Sequence, residues 1–168
     1  MREVLLYGKV ARGRVALVDD ENFDFINQFR WRAYERIEPD RRPYGPYAVN
    51  SYKDGSKTRT RFMHKMITGW PQTDHINHNT LDNQKHNLRP CTDSQNHGNQ
   101  LPPLNGSSQY KGLCWVERLG KWQVQIRVAG KRTYLGVFVD EEEAAQVYDI
   151  AAIAAWGPYA YLNFPRAL

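Results

Sequence analysis

A chain of 168 residues with 41% hydrophobic side chains can build one ordinary domain or two small ones, which excludes wholesale disorder. Its 23 Lys and Arg against 18 Asp and Glu leave a formal charge of +5, a balance that favours a polyanionic partner. No apolar run approaches the ~20 residues of a membrane span. The opening MREVLLYGKVARGR lacks a signal peptide's apolar stretch, and two cysteines, Cys91 and Cys114, are too few for a cysteine-built zinc site. A cytoplasmic protein with reduced thiols and no membrane partner is expected.

Residues 1–60 carry short strand-like stretches: GRVALVD, FRWRAY and YAVNSY, the last joined by the turn KDGSK to TRTRFM in a predicted hairpin. This β-rich segment holds no chemical motif and reads as a scaffold or DNA clamp. Residues 61–100 are different. The run from Trp70 to Gln100 is rich in His, Asn and Asp and poor in aliphatic side chains, so it cannot form a core. WPQTDHI and LRPC read as short strands separated by a polar loop. Thr92 and Gln95 have the spacing of a capping box, so a short helix is expected from Asp93, with Asn96 in its early turns. If that helix packs across the strands, Asp74, His75 and Asn96 converge, two oxygen ligands and one imidazole. A cation that neutralises a pentavalent phosphate and a base that deprotonates water are what phosphodiester hydrolysis needs.

QLPPLNGSS joins paired prolines to a Gly/Ser run without apolar periodicity, so 101–108 reads as a linker. Beyond it, in the domain expected over 109–168, WQVQIRV alternates strictly. Trp122, Val124, Ile126 and Val128 fall on one face and Gln123, Gln125 and Arg127 on the other. With YKGLCWVER before it and RTYLGVF after the turn VAGKRT, three antiparallel strands are predicted. Asp140 with Glu143 forms a second capping pattern, and acidic residues 141–143 suit the positive end of the helix that follows. Its alanines allow close packing on one sheet face. The other face, with Lys121, Gln125, Arg127 and Arg132, is left for solvent or a partner, and Arg and Gln are the side chains that pair with guanine and adenine edges.

Two resemblances sharpen these expectations. Residues 61–100 resemble the HNH endonucleases, in the subgroup whose last motif residue is Asn, through Asp74-His75, then Asn87-Leu88-Arg89, then Asn96; Met63-His64-Lys65 extends the match upstream. The resemblance implies a ββα-metal fold with His75 as general base and Asp74 and Asn96 as ligands of one Mg²⁺ or Mn²⁺ ion. Asn87 and His64 would be structural motif residues, and Arg89 either touches a phosphate or forms a structural salt bridge.

From Tyr110 to Pro165 the chain resembles the Apetala-two, or ethylene-response-factor, DNA-binding domain. YKGL, GKWQVQIR, GKRTYLG, EEEAAQVYDIAA and GPYAYLNFP occur in the family's order. The expected DNA contacts are Lys111, Gln125, Arg127, Arg132 and Tyr134, with Trp115, Arg118 and Lys121 beside them and Tyr148 as a backbone contact. Strand one carries an extra residue before GKW and lacks an arginine cluster, so base specificity does not transfer.

Together these imply an α+β protein: a ββα-metal HNH nuclease domain with an N-terminal β-rich extension, then a three-stranded antiparallel sheet packed on one helix. The expected function is a metal-dependent endonuclease, nicking one strand of double-stranded DNA as a monomer, like homing endonucleases of phage and mobile introns. The alternative is a non-catalytic, sequence-specific DNA-binding regulator that keeps the HNH shell as scaffold.

Overall fold

The computed structural model describes residues 1–36 and 44–165. They form two compact units that divide between Cys91 and Thr92, so residues 101–108 lie within the range of the second unit.

The first unit begins with β1 (Arg2–Tyr7), β2 (Val15–Val18), α1 (Asp20–Ile26), β3 (Trp31–Arg36), β4 (Tyr44–Asp54) and β5 (Lys57–Phe62). Among the described residues the sheet order is β2-β1-β3-β4-β5, with β1 and β3 parallel and the other pairs antiparallel. The β4–β5 turn is the two residues Gly55 and Ser56, closed by the pair Asp54 and Lys57. Gly55 supplies the positive φ (59°) that the first position of a type II′ hairpin requires. Val4, Leu6, Val18, Ile26, Trp31 and Met63 form the core of this unit, and the Trp31 indole N–H donates to Ile26 O at 2.8 Å. That bond satisfies the one polar atom of the largest buried side chain.

After α2 (Met63–Thr68), β6 (Thr73–His75) pairs antiparallel with β7 (Leu88–Pro90). The polar loop between them is ordered by its own side chains. Asn77 Oδ1 accepts from Asn79 N (2.8 Å), Asn79 Oδ1 from Leu81 N (3.2 Å) and Asp82 Oδ1 from Gln84 N (3.3 Å). Backbone bonds from Leu17 N to Leu81 O and from Asn83 N to Leu17 O, both 2.8 Å, knit the loop onto β2.

The second unit opens with α3 (Asp93–Asn99), whose capping box is complete: Thr92 Oγ1 accepts from Gln95 N, and Gln95 Oε1 accepts from Thr92 N. Then β8 (Leu113–Val116), β9 (Lys121–Val128) and β10 (Lys131–Phe138) form an antiparallel sheet of order β10-β9-β8, followed by α4 (Glu141–Trp156). Leu113, Val124 and Ile126 are buried against Ala144, Ala145, Tyr148, Ala152 and Trp156. Burying each of the two β9 side chains stabilises by roughly 1.5–3 kcal/mol, so the alternation seen in the sequence is what holds the helix to the sheet. Asp140 Oδ1 caps the helix by accepting from Glu143 N (2.7 Å), and Gly157 ends it with φ 53°.

The molecule is thus mixed α+β with antiparallel sheets, and a three-stranded sheet on one helix is present in its second unit. The two strands of the expected ββα-metal unit belong to the first unit and its helix, α3, to the second. No helix among the described residues is long and apolar enough to cross a membrane.

Candidate nucleic-acid interface

Strand register decides which side chains share the face that α4 leaves open. Arg127 pairs with Arg132, Gln125 with Tyr134, and Gln123 with Cys114, all in alternation with the buried Val124 and Ile126. Lys121 has the same parity. Arg127, Arg132 and Tyr134 are exposed, Tyr134 at 59%. The Arg127 Nε donates to Gly130 O (3.1 Å), which draws the guanidinium toward the hairpin turn. A bulge between Tyr134 and Gly136 shifts the register beyond this group and fixes where it ends. Arg118 sits outside the strands, exposed in the 3-10 turn Glu117–Leu119.

Three expected contacts are placed elsewhere. Trp115 stands opposite Trp122 with ring centroids 4.9 Å apart, so it shares the face of the core side chains. Tyr148 is buried, its ring against Gly112. Lys111 turns toward α3: its Nζ donates to His97 O (3.1 Å) and Gly98 O (2.7 Å), the carbonyl end of the helix, where a cation is favoured. Burial pulls the Lys111 ammonium down to about 8.

Helix α3 is tied to this module by more than Lys111. Ser94 Oγ accepts from the Trp156 indole N–H (3.1 Å) and from Ala129 N (3.3 Å), and Gly98 O accepts from Tyr161 N (3.0 Å). Gly98 lies so close to the Trp156 ring that a Cβ would stand 2.6 Å from it. His97 and Gln100 consequently line one recess of about 630 Å³ together with Gln125, Arg127 and Arg132. No local pattern in the sequence announces that neighbourhood.

Asp74 and His75 lie in the first unit, and Asn96 is half-buried on α3 in the second. Asp74 is cross-strand from Arg89, which donates to its Oδ2 from Nε (2.8 Å) and Nη2 (2.7 Å), with both side chains largely buried. Both bonds fall on the one oxygen Oδ2, and the pair ties β6 to β7. With its proton on Nε2, His75 donates to Asn83 Oδ1 (3.3 Å). Asn83 Nδ2 donates to Leu81 O, which orients that amide. Burial lowers the His75 pKa, against the opposing pull of Asn83, Asp74 and Asp82. His64 packs on it with ring centroids 5.0 Å apart and is pushed down to about 3 by burial, by His75 and by Lys65. Asn87 is buried, donating to Asp82 O and accepting from Asn77 N, both at 2.9 Å. Among the described residues no three His, Cys, Asp or Glu side chains gather where they could hold a metal ion.

Comparison with known proteins bears on part of the chain. Over 61 residues, 35% of this chain, the sequence is 52% identical to the AP2-like ethylene-responsive transcription factor AIL7 of Arabidopsis thaliana. It is also 52% identical over 61 residues to the related factor PLT2 of that plant, and 44% identical over 62 residues to APETALA2-like protein 2 of Oryza sativa. The chain spans 12, 11 and 14% of the lengths of these relatives. Part of the chain is therefore homologous to the AP2/ERF-type DNA-binding domain. No protein-family model matches the sequence.

These findings correct the enzymatic expectation. The relatives are transcription factors, and nothing in the comparisons supports the HNH resemblance. The assignments of a metal-dependent hydrolase, a homing-type nuclease and an Mg²⁺ or Mn²⁺ cofactor are withdrawn with it.

Proposed function

We propose that this protein is a non-catalytic regulator that binds double-stranded DNA in a sequence-specific manner through the open face of β8, β9 and β10. The observation that carries the reading is the register that sets Gln125, Arg127, Arg132 and Tyr134 together opposite the helix-covered face. A ribbon of strands fits the major groove, where Arg can bond guanine O6 and N7 and Gln can bond adenine N6 and N7, each pair discriminating by roughly 1–3 kcal/mol. Lys121 and Arg118 flank that group as phosphate contacts, with Glu117 the one acid between β8 and β9, while Asp140 and Glu141–Glu143 gather at the N-terminus of α4.

The test is selection of the full chain on a random duplex pool, followed by fluorescence anisotropy on the enriched sequence. Arg127→Ala combined with Arg132→Ala should lower affinity for the enriched sequence at least ~10-fold and erase most of its preference over unrelated duplex. Failure of the full chain to enrich any duplex sequence would overturn the reading.

A further inference from the structure

The β4–β5 hairpin is longer than the sheet that carries it. Register pairs β3 with Tyr44 to Val49 of β4, while β4 and β5 continue pairing from Asn50–Arg61 to Asp54–Lys57. Beyond Asn50, which still donates to Arg30 O, four residues per strand, 51–54 and 57–60, project about 13 Å as a two-stranded ribbon. Every residue from 51 to 60 is exposed. An isolated two-stranded hairpin is marginal in water, so this one is propped at its base and rim. Arg61 Nε donates to Asn50 Oδ1 (3.1 Å), the Arg61 guanidinium stacks 4.3 Å from the Tyr52 ring centroid, and Arg59 pairs with Asp54.

The ribbon carries Lys53, Lys57 and Arg59 against the single acid Asp54. Register sets Lys57 and Arg59 on one face and Lys53, with Thr58 and Thr60, on the other. A groove has two walls of phosphate, and a ribbon with cations and hydroxyls on both faces is complementary to both.

We propose that the 51–60 ribbon is a second DNA-contacting element, one that grips the phosphate backbone of duplex DNA without reading sequence. This rests on the reading that the second unit binds duplex DNA, and assigns a further point of attachment on the first. Because one chain carries both elements, engagement of either raises the effective concentration of the other.

The experiment measures affinity of the full chain for duplex DNA across a salt series, for the unaltered protein and two multiple variants. In the ribbon variant Lys53, Lys57 and Arg59 all become Ala; in the sheet variant Arg127 and Arg132 do. Removing one cation that neutralises a phosphate flattens the plot of log affinity against log salt by about 0.9, so the ribbon variant should lose about 2–3 from the slope on selected and unselected duplexes alike. Arg at both lysine positions, with Arg59 kept, should retain the slope. An unchanged slope and affinity in the ribbon variant overturns the proposal and leaves the sheet reading standing. Self-association of that variant with unchanged DNA binding also overturns it, because the cations would then serve only to keep an edge strand from pairing. If the sheet variant binds like the unaltered protein while the ribbon variant does not, the sheet reading fails and the ribbon assignment survives. Absence of duplex binding by the unaltered chain sinks both.

Discussion

Arg127 on β9 and Arg132 on β10 stand directly opposite each other in the strand register, on the side of the sheet away from α4. Like charges in that position oppose folding by roughly 0.2–1 kcal/mol. The unliganded module therefore bears a small electrostatic strain that a polyanion removes.

Replacing one member should separate stability from binding. Arg132→Thr is expected to raise the melting temperature at low ionic strength, with the gain shrinking as added salt screens the pair. The same variant should bind its selected duplex roughly 5- to 100-fold less tightly. Calorimetry and anisotropy at matched salt check both halves, and undiminished affinity would remove Arg132 from the DNA-binding group.

The β9–β10 turn holds a residue in a disfavoured conformation. Ala129 has φ 48° and Gly130 has φ 83°, both in the left-handed region. A non-glycine residue there costs about 1–2 kcal/mol. Ala129→Gly should stabilise the second unit by about 1 kcal/mol, read as a higher denaturant midpoint, after the extra chain entropy of glycine is offset.

Gly112 tests how tightly α4 is seated. It combines φ 88° with a position where a Cβ would lie 1.9 Å from the Tyr148 ring. Neither the backbone nor the buried ring can yield cheaply, so Gly112→Ala should destabilise the second unit by about 3 kcal/mol or more. Near-native melting behaviour in this variant would contradict the described packing of α4 on the sheet.

The two buried imidazoles set a pH dependence for the first unit. His64 is held at about 3, well below its ordinary value of 6.5, by burial, by His75 and by Lys65; His75 is also lowered, chiefly by burial, against the opposing pull of Asn83, Asp74 and Asp82. The unfolded chain binds protons to these groups at a higher pH than the folded one. Stability is then complete above about pH 6.5 and falls as acid is added, for His64 alone by about 1.4 kcal/mol per pH unit until pH nears 3. Between pH 6.5 and 5, above most carboxylate titration, His64→Phe should flatten the melting curve's pH dependence relative to the unaltered chain. An equally steep dependence in that variant would assign the effect elsewhere.

Much of the second unit was legible because its signals are local. The alternation from Trp122 to Val128, the cap at Asp140 and the ordered motifs from Tyr110 to Pro165 each depend on neighbours a few residues apart. The turn at Gly55 and the capping box of Thr92 and Gln95 belong to the same class. What stayed hidden is non-local. The parallel pairing of β1 with β3 crosses a helix, and α1 is a single short amphipathic stretch inside a segment read as strands. Within the polar run from Trp70 to Gln100 the structural role expected of Asn87 is local and was legible: its amide bridges loop backbone, as the side chains of Asn77, Asn79 and Asp82 do around it. Asp74 meets Arg89 only because β6 and β7 pair in that register.

The anchoring of α3 by Ser94, Gly98 and Lys111 has a practical corollary for anyone who wishes to transplant this module into a fusion protein. Trimming to Tyr110, where the recognisable motifs start, would bare one face of the Trp156 indole and strip the Lys111 ammonium of both its carbonyl acceptors. An excised fragment should instead start at Thr92, so that the donor helix travels with the sheet it braces.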